Sequence, residues 1–277
     1  DRTLVTEAKR AMGCLEPFGD EMGMAYARSL QRFLPKTCEN EVISLLSTIK
    51  QRAPTFNNDI EASLNMEQNA HIAHNAEKYY RSMVSANQSS WNLRDNHMME
   101  TLKRLLHFYG PKSKAIIWAH NTHAGDARAT DMVFDRTVNV GQLVREQLSH
   151  LNPKIVGFGS YQGTVVAGSE WGAPVRNMNV PRAIEGSWEH LMHQTGKGNQ
   201  LLFLEDVKEN ELFSTPIAHR AIGVVYHPRY EKIGNYVPSV LPNRYDAFIH
   251  VDTSQGVHAM NVYVDNTQLP ETYPWAF

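Results

Sequence analysis

Two histidines three residues apart are the side chains best suited to chemistry in this sequence. His120 and His123 lie in the sequence WAHNTHAGD, residues 118–126. Histidine titrates near neutral pH, so the pair could act as general base and electrophile, or could bind a metal together with Asp126. Alternatively, both rings could merely satisfy buried backbone groups. Because Asn121 and Asp126 share the same loop, we favour a functional site.

The apolar sequence AIIWA, residues 115–119, comes directly before this loop. A continuous apolar run of this length is typical of a strand that is buried on both faces of a parallel sheet. In open α/β sheets the ligand crevice forms at the carboxyl ends of the strands. The sequence therefore predicts that His120 and His123 line a crevice at that edge of the sheet.

The elements that must position this loop follow from the hydrophobic periodicity. Residues 1–110 are predicted to be helical, with helices at 20–33, 39–49, 59–84 and 95–108; Asp95 is the expected N-cap of the last one, which ends at Gly110-Pro111. Residues 111–277 are predicted to alternate, with strands at 115–119, 154–159 with 163–167, 201–204, 222–226 and 247–251, and helices at 140–150 and 187–194. We expect a three-layer α/β fold in which helices flank a mainly parallel sheet, with both portions in one structural domain.

Composition excludes several classes of function. Lys and Arg total 27 and Asp and Glu 29, so the formal charge of -2 gives no reason to expect nucleic acid or an anionic membrane as partner. No apolar run approaches the roughly 20 residues of a membrane helix. Cys14 and Cys38 lack metal or redox spacing, so we interpret them as buried free thiols in a reducing compartment. These observations favour a cytoplasmic protein whose partner is neither nucleic acid nor a membrane.

Several motifs resemble those of the erythromycin esterase family. Residues 94–102, RDNHMMETL, match the family's RDxxM helix, and Gly110-Pro111 and WAHNTH match the segment that carries its WAHNxH motif. The similarity continues through residues 141–143, 157–160, 163–165, 222–226 and 245–249, and it reaches back to residues 69–81. RDxxM and HNxH are specific in combination, whereas the glycine-rich pieces alone would be weak.

The resemblance implies a hydrolase in which a histidine-activated water attacks an ester or lactone carbonyl, without a metal or other cofactor. Its partner would be a small-molecule ester or lactone, and its role a response to an antibiotic. His120 and His123 match the family's two histidines, as acid or base and as orienting group. Arg94 matches its active-site arginine, which would stabilise the oxyanion. The remaining residues expected to contact substrate are Asn121, Asp126, Glu170 and Trp171.

One departure from the family pattern concerns the base. The family carries an N-terminal motif similar to GExxHG, and no such sequence occurs among these residues. We therefore expect an incomplete copy of the family domain, whose glutamate and histidine would come from residues before Asp1.

Two other functions remain open. A metal-dependent hydrolase could use His120, His123 and Asp126 as ligands and lower the pKa of a bound water. A non-enzymatic relative could keep only a ligand crevice. His71 and His74 form a weaker candidate pair, because no HExxH signature accompanies them. Ser160 is not a nucleophile elbow, because the motif requires glycines where Phe158 and Gln162 stand.

Overall fold

The computed structural model describes residues 2–18, 24–31, 37–52, 60–83, 89–170 and 173–258. These residues belong to two compact units, one within Asp1–Ala115 and the other within Ile116–Asp265. Among the helices of these ranges, none is both long and apolar enough to cross a bilayer.

The first unit is helical, as predicted. Its helices are α1 (Arg2–Met12), α2 (Met24–Ser29), α3 (Glu39–Arg52), α4 (Ile60–Ser82) and α5 (Ser89–Tyr109). The apolar faces of α1, α3 and α4 meet in a small core of Leu4, Ala11, Leu45, Ile49 and Ala70. The predicted N-cap role of Asp95 is wrong, because α5 begins six residues earlier and Asp95 is buried within it. The predicted end of this helix is confirmed, since Gly110 adopts a φ of 84° that glycine tolerates without strain.

Buried polar contacts and a disulfide join the helices of this unit. The hydroxyl of Tyr26 donates to Glu77 at 2.8 Å and accepts from the backbone N–H of Cys38 at 2.9 Å. Cys14 and Cys38 form a disulfide with a Cα–Cα distance of 5.8 Å, so the expectation of free thiols is wrong. Disulfides belong mainly to oxidising compartments, so these cysteines give no support to a cytoplasmic location.

The second unit contains a mixed four-stranded sheet. Its strands are β1 (Val156–Ala167), β2 (Arg176–Val180), β3 (Gln200–Phe203) and β6 (Ala247–Ser254), in the order β2-β1-β6-β3. Only β1 and β6 are parallel; β1 with β2 and β3 with β6 are antiparallel. Strands β4 (Ile217–Arg220) and β5 (Tyr236–Ser239) form a separate antiparallel pair. The chain is thus α/β, but the expected mainly parallel sheet is wrong for the described residues.

The helices of this unit are α6 (Asn121–Ala124), α7 (Val140–Gln147), α8 (Trp188–Gln194), α9 (Glu211–Ser214), α10 (Glu231–Gly234) and α11 (Leu241–Arg244). The predicted helix 187–194 is confirmed as α8, whose N-cap Ser187 accepts from the N–H of His190. Trp188 and Met192 on α8 pack into the core of the sheet with Tyr245 and Phe248. Helix α8 therefore has one face in the interior.

Two predicted strands are wrong. Residues 113–120 form no strand, and Ile116 and Trp118 are 92% and 87% exposed. Residues 222–226 make only an isolated bridge, between Val225 and Gly168. An apolar run becomes a buried strand only when a neighbour supplies hydrogen bonds, and among the described residues no strand pairs with 113–120. The predicted strands 154–159 and 163–167 are one continuous strand, β1.

Candidate active site

His120 is the N-cap of the short helix α6, and both of its ring nitrogens are hydrogen-bonded. Its Nε2 lies 2.8 Å from the carbonyl oxygen of Ile222, which can only accept, so Nε2 carries the proton. Its Nδ1 accepts from the backbone N–H of Thr122 at 3.2 Å and from the hydroxyl of Thr122 at 2.7 Å. The ring is therefore oriented as the neutral Nε2–H tautomer.

The environment of His120 favours this neutral form. Desolvation of the ring lowers the pKa of His120, although the hydrogen bond to Ile222 opposes that shift. The neighbouring His123, Arg244 and His219 lower the pKa further when they are charged. A neutral imidazole is the form that can accept a proton from water near pH 7.

Asn121 attaches α6 to strand β1. Its Oδ1 accepts from the N–H of Phe158 at 3.2 Å, and its Nδ2 donates to the carbonyl oxygen of Phe158 at 2.5 Å. Phe158 lies near the amino end of β1, so the predicted location at the carboxyl end of a strand is wrong. The N–H and carbonyl oxygen of Phe158 also determine which terminal atom of the Asn121 amide is the nitrogen.

A buried pair, Glu189 and His219, lies behind Asn121. Nδ1 of His219 is 2.5 Å from Oε1 of Glu189, and neither side chain is exposed. Nε2 of His219 is 3.2 Å from the hydroxyl of Tyr245 and 3.4 Å from Nδ2 of Asn121. Neither residue is among the site residues predicted from the sequence. The sequence does carry one signal for Glu189: it is an acidic residue next to Trp188, in a helix whose apolar residues pack into the core.

The electrostatics of this pair favour a carboxylate beside an imidazole. Burial by itself would raise the pKa of Glu189, but His219 and the backbone N–H of Arg220 outweigh it, so the pKa is lowered. Burial lowers the pKa of His219, against the attraction of Glu189. The pair is thus held by a charge-assisted hydrogen bond.

Helix α7 holds α6 from the other side. Nδ2 of Asn139, the N-cap of α7, donates to the carbonyl oxygens of Thr122, at 2.8 Å, and Gly125. A Cβ atom at Gly141 would lie 2.0 Å from the carbonyl oxygen of Ala124, so the two helices approach as only glycine permits.

Asp126 lies in the same loop but is engaged by arginines. Its carboxylate is buried and accepts from Nη2 of Arg128 at 2.7 Å, with Nη1 of Arg145 at 3.4 Å. Burial would raise the pKa of Asp126, but Arg128 and Arg145 lower it overall. Within the described part of the chain, no three His, Cys, Asp or Glu side chains are arranged to hold a metal ion, and this includes His120, His123 and Asp126.

The other predicted site residues are dispersed. His123 lies in α6, half-buried. Arg94 lies on α5 in the first unit with its guanidinium 4.9 Å from the ring centre of Trp91, and its proposed place at the oxyanion stays a prediction. Glu170 is exposed after β1, and Trp171 lies outside the described residues.

A cleft of about 1030 Å³ lies next to Asp126. Its walls include charged side chains of both signs, and the lining residues are Asp126, Arg128, Ala129, Arg145, Lys154, Val156, Phe203, Glu205, Lys208, Pro242, Asn243, Tyr245, Asp246 and Ala247. Neither His120 nor His123 lines it. Asp126 and Asp246 pair with Arg145, so we do not assign the ester site to this cleft.

Comparison with known proteins identifies the family. The sequence model described as erythromycin esterase matches residues 1–254, so the chain belongs to the erythromycin esterase family.

Three solved structures are similar to this chain at low identity. A Bacillus cereus protein is 15% identical with a TM-score of 0.72, covering 92% of this chain and 60% of that one. A succinoglycan biosynthesis protein is 16% identical with a TM-score of 0.66, covering 92% and 58%. A mutant of the erythromycin esterase EreC in its open conformation is 15% identical with a TM-score of 0.64, covering 91% and 62%. The chain thus spans about three fifths of the length of these proteins, and the likeness shows the fold.

Proposed function

We propose that this chain is a hydrolase that cleaves an ester or lactone of a small molecule by histidine-assisted attack of water. The observation that carries the proposal is His120, a neutral imidazole of fixed tautomer in a loop tied to β1. A lactone of the macrolide type is a candidate, because one structural neighbour is an erythromycin esterase. The small molecule is the expected partner, and a cytoplasmic location stays a prediction.

The contact between Thr122 and His120 suggests how the proton moves. The hydroxyl of Thr122 donates to Nδ1 of His120 at 2.7 Å. A water bound to Oγ1 of Thr122 passes its proton to that oxygen while the hydroxyl proton passes to Nδ1, and the water oxygen attacks the carbonyl carbon. The bond between the carbonyl carbon and the ester oxygen then breaks, and the imidazolium returns the proton to the leaving alkoxide, so an ester gives an acid and an alcohol and a lactone gives one hydroxy acid.

The other site residues take supporting roles in this proposal. His123 orients or polarises the carbonyl, and Arg94 stabilises the oxyanion, since a guanidinium is always charged. Asn121 and Asp126 hold the loop in place, because the amide of Asn121 is hydrogen-bonded to Phe158 and the carboxylate of Asp126 is paired with arginines. Glu170 and Trp171 stay candidates for substrate contact.

In this proposal the base is His120 with Thr122, so the reaction does not depend on the glutamate and histidine that the resemblance places before Asp1. Turnover of p-nitrophenyl acetate and of a macrolide lactone by the purified chain tests the function. We expect hydrolysis that falls on the order of 10²-fold to 10⁴-fold in His120→Ala, the usual contribution of an acid–base group, and that EDTA does not change. His193→Ala is the matched control. This partly exposed histidine is hydrogen-bonded to Asp252, and its substitution should leave the rate unchanged. No turnover above the blank, or equal rates for the wild type and His120→Ala, would contradict the proposal.

A further inference from the structure

The pair Glu189–His219 has no part in the proposed chemistry, yet it is fully buried and contacts the loop that carries the chemistry. Glu189 lies on α8 and His219 on β4, 30 residues apart in sequence. His219 also packs against the rings of Tyr245 and Phe248, at centroid distances of 5.8 and 5.4 Å. A Cβ at Gly159 would lie 2.6 Å from Phe248 and 2.9 Å from Oε1 of Glu189, so β1 closes over the pair.

The hydrogen bonds define the tautomer of His219. The paired backbone of Phe158 fixes Nδ2 of Asn121 as the atom that faces Nε2 of His219, 3.4 Å away. An amide nitrogen can only donate, and the hydroxyl of Tyr245, 3.2 Å from Nε2, can donate to the same atom, so Nε2 is the acceptor. Nδ1 then carries the proton and donates to the carboxylate of Glu189, as the distance of 2.5 Å requires.

We infer that Glu189 and His219 are positioning residues: the carboxylate holds His219 as the Nδ1–H tautomer, whose Nε2 accepts from Asn121 and so fixes the loop of His120 and His123. Each hydrogen of the Asn121 amide then has an acceptor, one in Phe158 and one in His219. This inference rests on the proposed function, because it assigns the pair to the same site. Neither residue touches substrate.

The tautomer and the loop geometry can be measured without any substrate. In a two-bond ¹H–¹⁵N correlation spectrum of histidine-labelled protein, the His219 ring should show a protonated Nδ1 and an unprotonated Nε2. A protonated Nε2, in either the other tautomer or the imidazolium, would overturn the inference.

Two substitutions of His219 separate positioning from packing. In His219→Gln the amide oxygen can occupy the place of Nε2 and accept from Asn121, whereas the shorter side chain of His219→Asn cannot reach it. We expect the backbone amide signals of residues 121–125 and Phe158 to move in His219→Asn and to stay near their wild-type positions in His219→Gln. Unmoved signals in His219→Asn would overturn the inference.

Kinetics give the same comparison on the proposed reaction. For folded protein, we expect kcat to fall on the order of 10-fold to 100-fold in His219→Asn, with KM little changed, and to recover in His219→Gln, because small displacements of catalytic groups are costly. A purely structural role would lower the unfolding midpoint of both variants and leave kcat per folded molecule unchanged, which contradicts the inference.

Two further measurements keep the test decisive. His193→Asn is the matched control, because Nδ1 of His193 also lies 2.6 Å from a carboxylate, Asp252, and we expect it to alter neither kcat nor the loop signals. If the His219 variants do not fold, Glu189→Leu removes the acceptor of Nδ1 and should displace the loop signals, whereas unmoved signals would overturn the inference. Absence of wild-type turnover would refute the proposed function alone, since the tautomer and the loop signals would still decide the positioning role.

Discussion

The side-chain amide of Asn121 is bonded to both backbone atoms of Phe158, with the N–H of Phe158 3.2 Å from Oδ1 and its carbonyl oxygen 2.5 Å from Nδ2. It pairs with β1 much as a neighbouring strand would. Because residues 113–120 form no strand, this amide ties the loop of His120 to the sheet. The position of this loop therefore depends on Asn121, together with the contacts that Asn139 and Ile222 make with the loop.

The hydroxyl group of Thr122 should contribute more to kcat than the volume of its side chain. Thr122→Val keeps the shape of the side chain and the backbone N–H that donates to the cap His120, but it removes the hydroxyl donor 2.7 Å from Nδ1 of His120. We expect kcat to fall on the order of 10²-fold in Thr122→Val, as for loss of proton transfer, and to stay near wild type in Thr122→Ser. Steady-state kinetics of both variants measure this, and equal rates would disprove the relay.

Gly141→Ala should displace α7 from α6. The added Cβ would lie 2.0 Å from the carbonyl oxygen of Ala124, so backbone must move, at a cost of about 1–3 kcal/mol in the free energy of unfolding. Gly234→Ala is the control, because its Cβ would meet nothing within 4 Å and should change stability by about 0.5 kcal/mol or less. Denaturant unfolding compares the two, and equal effects would refute the close approach.

Acidification should destabilise both units through their histidines. The pKa values of six histidines are lowered from 6.5, mainly by burial: His71, His74, His97, His120, His219 and His250. Below pH 6.5 the unfolded chain binds protons that the folded chain does not, so the free energy of unfolding falls as pH falls. Denaturant midpoints at about pH 7.5 and about pH 5.5 measure this. A midpoint that is equal or higher at the acidic pH would contradict the assignment.

The buried ion pair between Arg220 and Glu231 should be costly to break. Nε of Arg220 lies 2.7 Å from Oε1 of Glu231, both side chains are 2% exposed, and Tyr226 donates to the other carboxylate oxygen. Glu231→Gln leaves a buried guanidinium without its counter-charge, so we expect a loss of about 3–5 kcal/mol. Glu146→Gln, which breaks the exposed pair with Arg128, should cost about 1 kcal/mol or less. Chemical denaturation measures the free energy of unfolding of both variants. Similar losses of free energy would show that the Arg220–Glu231 pair is solvated.

The Cys14–Cys38 disulfide should stabilise the first unit. Because it closes a loop of 24 residues, replacing both cysteines by serine should lower the free energy of unfolding by about 3 kcal/mol. Peptide mapping without reductant should recover the two cysteines in one linked pair. Alkylation of both in the native, unreduced protein would refute the bond.

The sequence by itself determined the elements whose signal is local. Helices α3, α4, α5 and α8 follow from their apolar spacing, and the end of α5 follows from Gly110, which tolerates a positive φ. The motif residues His120 and His123 were also identified from sequence alone, as was the family. These features depend on neighbouring residues along the chain, which a sequence displays directly.

Only the tertiary structure decided which segments pair. The apolar residues 115–119 signalled a buried strand as strongly as residues 247–251, yet only the latter lie between two partner strands, β1 and β3. Likewise nothing local links Cys14 to Cys38, or Glu189 to His219, since each pair is far apart in sequence. Strand pairing, disulfides and buried polar contacts require two distant segments to meet, and the free energy that brings them together comes from packing the whole unit.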